Sequence, residues 1–276
     1  MRKNNALDFL NNANRFIGLP LSEAGKSLQI QRTSGHFKDW GEHSYWDELE
    51  HRRDNEQSSS LKGLPGAIIQ HLFTGNGPDS KSGKDSFYEV KSFEVWLKDG
   101  EYIPKEKFLK IGSLNYQEVL DNDFMQLDIL SKVLQSFWVP ILIPPPPCWK
   151  HKAESVNLKC SKCKSTREIV YDSFYRLERA IIMKPIVFVP DANQLRQIAH
   201  DFDHYKGIIK SGDQSQLSAK LNKSRTKVLM VNTSGQNNTP KKQFLFNGEL
   251  HQWKSRSWYM HPNLKAELVR ESGKIS

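Results

Sequence analysis

The sequence has no apolar run long enough to cross a bilayer. Its most apolar stretch, Phe137 to Ile143, is strand-sized and runs into four consecutive prolines, Pro144 to Pro147, whereas a spanning helix needs about 20 such residues. A Walker-type phosphate loop, a dinucleotide-binding glycine pattern, a GxSxG elbow and an HExxH helix are also missing. Translocation driven by ATP hydrolysis and the chemistries those motifs mark are therefore excluded. No repeat period is visible. The N-terminus, Met1-Arg2-Lys3-Asn4-Asn5, lacks the apolar core of a signal peptide, so a cytoplasmic protein with no membrane partner is the expectation. Acidic residues are in the minority, 31 Asp and Glu against 40 Lys and Arg, which leaves a net charge of +9. That balance disfavours small cationic substrates and favours polyanions, of which nucleic acid is the commonest. Cysteine is scarce too, with three residues.

What is present is enough for a packed protein. In 276 residues, 37% hydrophobic and 11% aromatic content supplies a core and excludes general disorder. Apolar residues at Leu7, Leu10, Ala13 and Phe16-Ile17 follow a helical spacing, and Ser22 is placed to cap a second short helix. Trp40, Tyr45 and Trp46 stand among charges as core anchors or as ligand contacts, with the core the expected fate. Ala67 to Phe73 reads as an apolar helix, Phe87 to Phe93 as a strand continuing to Trp96, Asp99-Gly100 as a turn, and Phe108 to Leu114 as a further strand. A helical face over Val119 to Leu134 and a buried central strand over Phe137 to Ile143 follow. The expected class is α/β: a central mixed sheet flanked by helices. Three regions are expected: N-terminal helices with a catalytic core over 1–143, an insert over 144–168, and a C-terminal part over 169–276.

The chain is organised around Gly77-Pro78-Asp79-Ser80-Lys81-Ser82-Gly83-Lys84-Asp85-Ser86-Phe87-Tyr88-Glu89-Val90-Lys91-Ser92. Period-2 alternation points Glu89 and Lys91 to one face of the strand. The Ser-, Gly- and Lys-rich segment before it suits a hairpin turn that returns Asp79 beside Glu89. Two carboxylates and an ammonium converge. Carboxylate oxygens suit a hard divalent cation, and a lysine beside them can orient or activate water, the equipment for phosphodiester hydrolysis. An exposed hairpin with an ordinary Glu/Lys face is the alternative from these residues alone.

Pro78-Asp79, nine residues, then Glu89-x-Lys91 resembles the PD-(D/E)xK motif of type II restriction endonucleases and related DNA nucleases. The resemblance implies that Asp79 and Glu89 bind Mg²⁺ and that Lys91 is the catalytic lysine, with Asp85 as the substitute for Asp79 in a tighter turn. It also implies a 5′-phosphate and a 3′-hydroxyl product. The helix before the motif often supplies a further carboxylate in that family; here it carries Gln70, which leaves the number of metals open. A wider resemblance to the MutH-type mismatch-repair nicking enzymes rests on element order and on Trp258-Tyr259 before the last helix.

All three cysteines and a histidine lie within residues 148–163: Cys148-Trp149-Lys150-His151 and Cys160-Ser161-Lys162-Cys163. Three thiolates and an imidazole form a tetrahedral set for structural Zn²⁺, with no open position for catalysis. The rival, a disulfide with a spare thiol, is disfavoured in a cytoplasmic setting.

Further on, Ile181 to Val189 reads as a strand, Asp191 as the cap of a helix over Ala192 to Tyr205, and Lys227 to Val231 as a strand. The loop Thr233 to Lys242 carries Gln236 and Asn237, whose amides can pair with adenine. Between His251 and His261, Lys254 and Arg256 alternate with Trp253, Trp258 and Tyr259; the tryptophans suit the core, the cations DNA. The expectation is a Mg²⁺-dependent, sequence-specific endonuclease of double-stranded DNA. A zinc-containing DNA-binding protein without catalysis and a repair nuclease are the alternatives. A palindromic target implies a homodimer; a monomer that nicks twice serves as well.

Overall fold

A computed structural model describes residues 11, 13–28, 44–47, 50, 64–74, 89–105, 108–127, 133, 136–146, 148–149, 173–233 and 241–273. Helices are α1 (Leu21–Ser27), α2 (Leu64–Thr74), α3 (Tyr116–Asp121), α4 (Ser173–Glu178), α5 (Ala192–Lys210), α6 (Ala219–Asn222) and α7 (Pro262–Gly273). Strands are β1 (Glu89–Lys98), β2 (Glu101–Pro104), β3 (Leu109–Ser113), β4 (Ser136–Leu142), β5 (Ile181–Ile182), β6 (Ile186–Phe188), β7 (Leu229–Thr233), β8 (Lys241–Phe246), β9 (Glu249–Lys254) and β10 (Arg256–Met260). The protein mixes α and β structure, as expected. Among the described residues no helix is long and apolar enough to cross a membrane.

The chain divides into two compact units, 1–105 with 137–186 and 269–276, and 106–136 with 187–268. Positions 143 and 168, where the sequence suggests boundaries, both fall inside the first.

The first unit is built on a sheet in the order β2-β1-β4-β5, with β6 also pairing β4. Strands β1 and β2 form an antiparallel hairpin that pairs Lys98 with Glu101. Its two turn residues, Asp99 (φ 52) and Gly100 (φ 81), are both left-handed, the geometry that matches strand twist and that Asp-Gly tolerates. The turn expected there is present. Beyond β5 the sheet is extended by residues 18–21, through Gly18 N–H to Ile182 O and Ile182 N–H to Leu19 O. That extended entry puts the helix start ahead of the cap the sequence suggests at Ser22. Helix α1 starts at Leu21 behind Pro20, which makes no side-chain cap, and Ser22 lies inside the helix.

Over one face of the sheet, α1 and α2 enclose a core of Leu21, Ala24, Trp46, Ile68, Ile69, Trp96, Val139, Ile141 and Ile182. Gly25 is needed for close approach, since a Cβ there would lie 3.2 Å from Ile68 and 3.3 Å from Trp46. Beside this core His71 meets Tyr45, with Nδ1 3.2 Å from the hydroxyl. Burial holds its pKa below the ordinary value, so it sits there as a neutral imidazole.

The second unit has a three-stranded sheet, β3-β10-β7, and a separate hairpin, β8-β9. The strand expected over Phe108 to Leu114 forms, but it pairs with β10 and not with the sheet of β1. Helix α5 buries Ile198, Phe202, Tyr205 and Ile209 in one stripe, the spacing of a single helical face. Asp191 caps it as expected, accepting from the N–H groups of Asn193 and Gln194 while Gln194 accepts from Asp191 N–H. The single helix expected over Val119 to Leu134 does not form. Asn122 and Asp123 break it: Asn122 bonds Glu118 O through both its backbone and its side-chain nitrogens, and Asp123 starts a new 3-10 turn over Phe124–Gln126. The expected strand from Ile181 to Val189 is likewise two short ones, with Pro185 between them denying the ladder an N–H.

Candidate active site

Strand β1 has two unlike faces. Val90, Ser92, Glu94 and Trp96 face α2: Val90 and Trp96 belong to its core, and Gly66 of α2 approaches Ser92. Glu89 and Lys91 alternate onto the other face, above Phe93, which packs edge-on against Trp138. The Lys91 ammonium donates to Glu89 Oε1 at 2.6 Å, with the two side chains 20% and 38% exposed. A carboxylate and an ammonium are thus held together at the start of β1, whose next residues, Phe93 to Trp96, are buried. Partial exposure matters here, because a buried pair would be structural and a fully exposed one would lack a fixed geometry.

Of the other residues expected at this site, Asp79 and Asp85 lie outside the described residues. Gln70 is half-buried on α2, the helix that covers the opposite face of β1. Among the described residues no group of three His, Cys, Asp or Glu side chains is arranged to hold a metal. Glu89 is the carboxylate they contribute, a hard oxygen donor of the kind Mg²⁺ takes. In the zinc-knuckle set, Cys148 is half-buried, while His151, Cys160 and Cys163 lie outside the described residues. Trp149 beside it packs edge-on against Trp96.

A second carboxylate on β1 has a different part, which sequence reasoning misses. Glu94 is buried on the α2 face with its Oε2 2.7 Å from Lys105 Nζ and 3.1 Å from Arg176 Nε of α4. Its backbone carbonyl also accepts from Lys105 N–H. Two cations around one buried carboxylate lock β1 to the chain after β2 and to α4. Removing the carboxylate leaves buried positive charge uncompensated, which costs about 3–5 kcal/mol. Glu94→Ala is therefore expected to lower the urea midpoint sharply and Glu94→Gln to lower it less; equal stability of Glu94→Ala and wild type would overturn this assignment.

The candidate DNA contacts separate. Gln236 and Asn237 lie outside the described residues. Lys254 is exposed at the end of β9. Arg256, the other cation expected to contact DNA, is 9% exposed. It neighbours Tyr116, whose hydroxyl donates to Lys254 O at 2.6 Å. Burial pushes the Tyr116 pKa up to about 12, with the Arg256 charge working the other way. Trp253 and Trp258 are buried, the core role expected of them. His261 is also internal, with Nδ1 accepting from Asn263 N–H and Nε2 3.1 Å from Lys223 O; it caps α7.

The sequence matches no protein-family model, and no curated protein is significantly similar to it.

Proposed function

We propose that this chain is a Mg²⁺-dependent endonuclease of double-stranded DNA, in the manner of type II restriction enzymes. The observation that carries the reading is the Glu89–Lys91 pair, 2.6 Å apart and part-exposed on one face of β1, within the Asp79…Glu89-x-Lys91 spacing. Glu89, together with Asp79 or Asp85, would hold the metal. When bound, the metal offsets charge on the scissile phosphate and acidifies its water. Lys91 would orient the attacking water toward phosphorus as an ammonium, or take its proton after first losing its own, while Glu89 fixes the lysine's position through the hydrogen bond already formed. The net charge of +9 supplies long-range attraction for the polyanionic substrate.

The test is incubation of a long unmethylated duplex with the protein in Mg²⁺ or in EDTA. Discrete Mg²⁺-dependent fragments support the reading and give the target site. A metal-dependent smear keeps the active site but rejects site specificity in favour of a repair-type nuclease. Salt-sensitive DNA binding without cleavage, on substrate shown to be unmodified, favours a binding protein.

The same proposal assigns structural Zn²⁺ to Cys148, His151, Cys160 and Cys163. One zinc per chain is expected by elemental analysis, reduced in Cys160→Ser, with the Glu89–Lys91 site unaffected. Normal zinc content in that variant would remove the assignment.

A further inference from the structure

The hairpin β8–β9 has two faces set by its register. Lys242, Phe244 and Phe246 oppose Trp253, His251 and Glu249 on one of them. There Phe244 stacks on His251, and Tyr116 lies 5.0 Å from Phe244 and 5.4 Å from Trp253. This face is anchored. The β8 edge is anchored as well, since Leu245 N–H donates to Gln117 Oε1 at 2.8 Å, and Gln117 Nε2 donates to the Asp121 carboxylate.

The opposite face carries three like-with-like rows: Lys241 across from Lys254, Gln243 from Gln252, and Leu245 from Leu250. All six side chains are exposed, the two leucines at 57% and 64%. The turn prevents slippage of these rows, because Asn247 (φ 52) and Gly248 (φ 79) are both left-handed, as a two-residue hairpin turn requires. Lysines directly opposite one another repel, and two exposed leucines side by side gain nothing from water. Among the described residues nothing in the unit rewards this arrangement, but a polyanion with apolar groups would.

We propose that this face of the hairpin enters the major groove of double-stranded DNA and reads A·T-containing base pairs. This rests on the DNA-cleaving function proposed above and names the element that would give it specificity. A two-stranded ribbon fits a groove about 12 Å wide. Three rows spaced two residues apart span about 14 Å, or roughly four base-pair steps. The lysines sit at one end of the face to meet phosphates. The glutamine amides can each pair bidentately with adenine N6 and N7, and the leucines near the tip can meet thymine methyl groups. Between Lys241 and Lys254 the hairpin holds three lysines and one glutamate, a charge of the sign DNA requires.

The test uses the full chain, with fluorescence anisotropy on labelled duplexes of about 30 base pairs, one of mixed sequence and one all G·C, across a KCl series in EDTA. Cleavage in Mg²⁺ is assayed in parallel. Lys241→Ala/Lys254→Ala is expected to weaken both duplexes alike and to lower the slope of log K against log salt by about 2. Gln243→Ala/Gln252→Ala is expected to leave that slope alone and to reduce preference for the mixed duplex by about 10-fold or more. All four positions are exposed, so unchanged circular dichroism is expected to accompany these losses. Unchanged slope and preference in both variants, with wild-type binding and cleavage intact, would reject the hairpin and keep the nuclease. Cleavage lost in Lys91→Ala while the hairpin effects on binding persist would support both proposals separately. Absence of DNA binding by the wild type would reject the hairpin with the nuclease. If Leu245→Ser/Leu250→Ser instead dissociates a dimer in sedimentation at unchanged DNA affinity, the face is a contact between copies of the chain and the proposal fails.

Discussion

Alanine at Lys91 is expected to lower Mg²⁺-dependent DNA cleavage by about 10³-fold or more while leaving the protein folded. The two halves of that expectation come from the same geometry. Lys91 donates to one partner among the described contacts, Glu89 Oε1, and both groups are part-exposed. A part-exposed pair of this kind is worth about 1 kcal/mol or less, so the Tm is expected to fall by no more than about 4 °C. A lysine retained for stability would show the reverse pattern, with cleavage tracking the folded fraction. Lys91→Arg separates charge from proton transfer: the guanidinium keeps the positive charge but cannot be deprotonated. It is expected to restore binding without restoring rate. Glu89→Gln removes the anionic oxygen that would meet the metal, so it is expected to lose cleavage to a similar degree with DNA binding retained. A cleavage rate near wild type in Lys91→Ala would end the assignment, whatever the stability. A fall in Tm beyond about 10 °C would assign the loss to unfolding rather than to chemistry.

How far such a site can be read from sequence depends on how locally its geometry is set. Glu89 and Lys91 are two residues apart on one strand, and alternation alone brings them together. Asp99-Gly100 is equally local, because its conformation follows from the residues that tolerate it. Asn247-Gly248 carries the same signal, and the alternation on either side of it makes β8–β9 a legible hairpin. Reading 251–261 as cations interleaved with aromatics merges two strands, β9 and β10, whose alternate residues point to opposite faces. Arg256 is the result: composition places it with Lys254, while the strand places it inside. Glu94 was legible only as a charge in an apolar strand. Its partners stand at Lys105 and on α4, and nothing near it in sequence announces them. The long helix expected from Val119 fails for a local reason, the side chains of Asn122 and Asp123, which compete with the helical backbone bonds. The separation of β3 from the sheet of β1 is decided by its partner β10 far along the chain, which periodicity cannot see.

A large effect on stability is expected at Asp201. This residue lies on the buried stripe of α5 and is 0% exposed, although its position in a polar helix gives no sign of it. Its Oδ2 accepts three backbone N–H groups in succession, from Lys227 at 3.0 Å, Val228 at 2.7 Å and Leu229 at 3.0 Å. Its Oδ1 accepts from Gln197 Nε2 at 2.8 Å, with the exposed His200 ring 3.6 Å away. The carboxylate therefore gathers the chain leading into β7, the edge strand of the sheet whose centre is β10. Charge-assisted bonds to backbone N–H groups are among the stronger ones. Alanine would strand those donors in an apolar interior, at a cost of about 3–5 kcal/mol. Asparagine can still turn its carbonyl oxygen to the three donors, but its NH₂ then faces the Gln197 amide, which must flip to present its oxygen; about 1–2 kcal/mol is the expected loss. Asp201→Ala should therefore unfold at clearly lower urea than Asp201→Asn. Amide exchange should accelerate over 227–233 and 256–260, the segments this carboxylate holds in register. The ranking matters more than either value. If alanine and asparagine are equally stable, the three donors are satisfied some other way, and β7 is held by its apolar side chains alone.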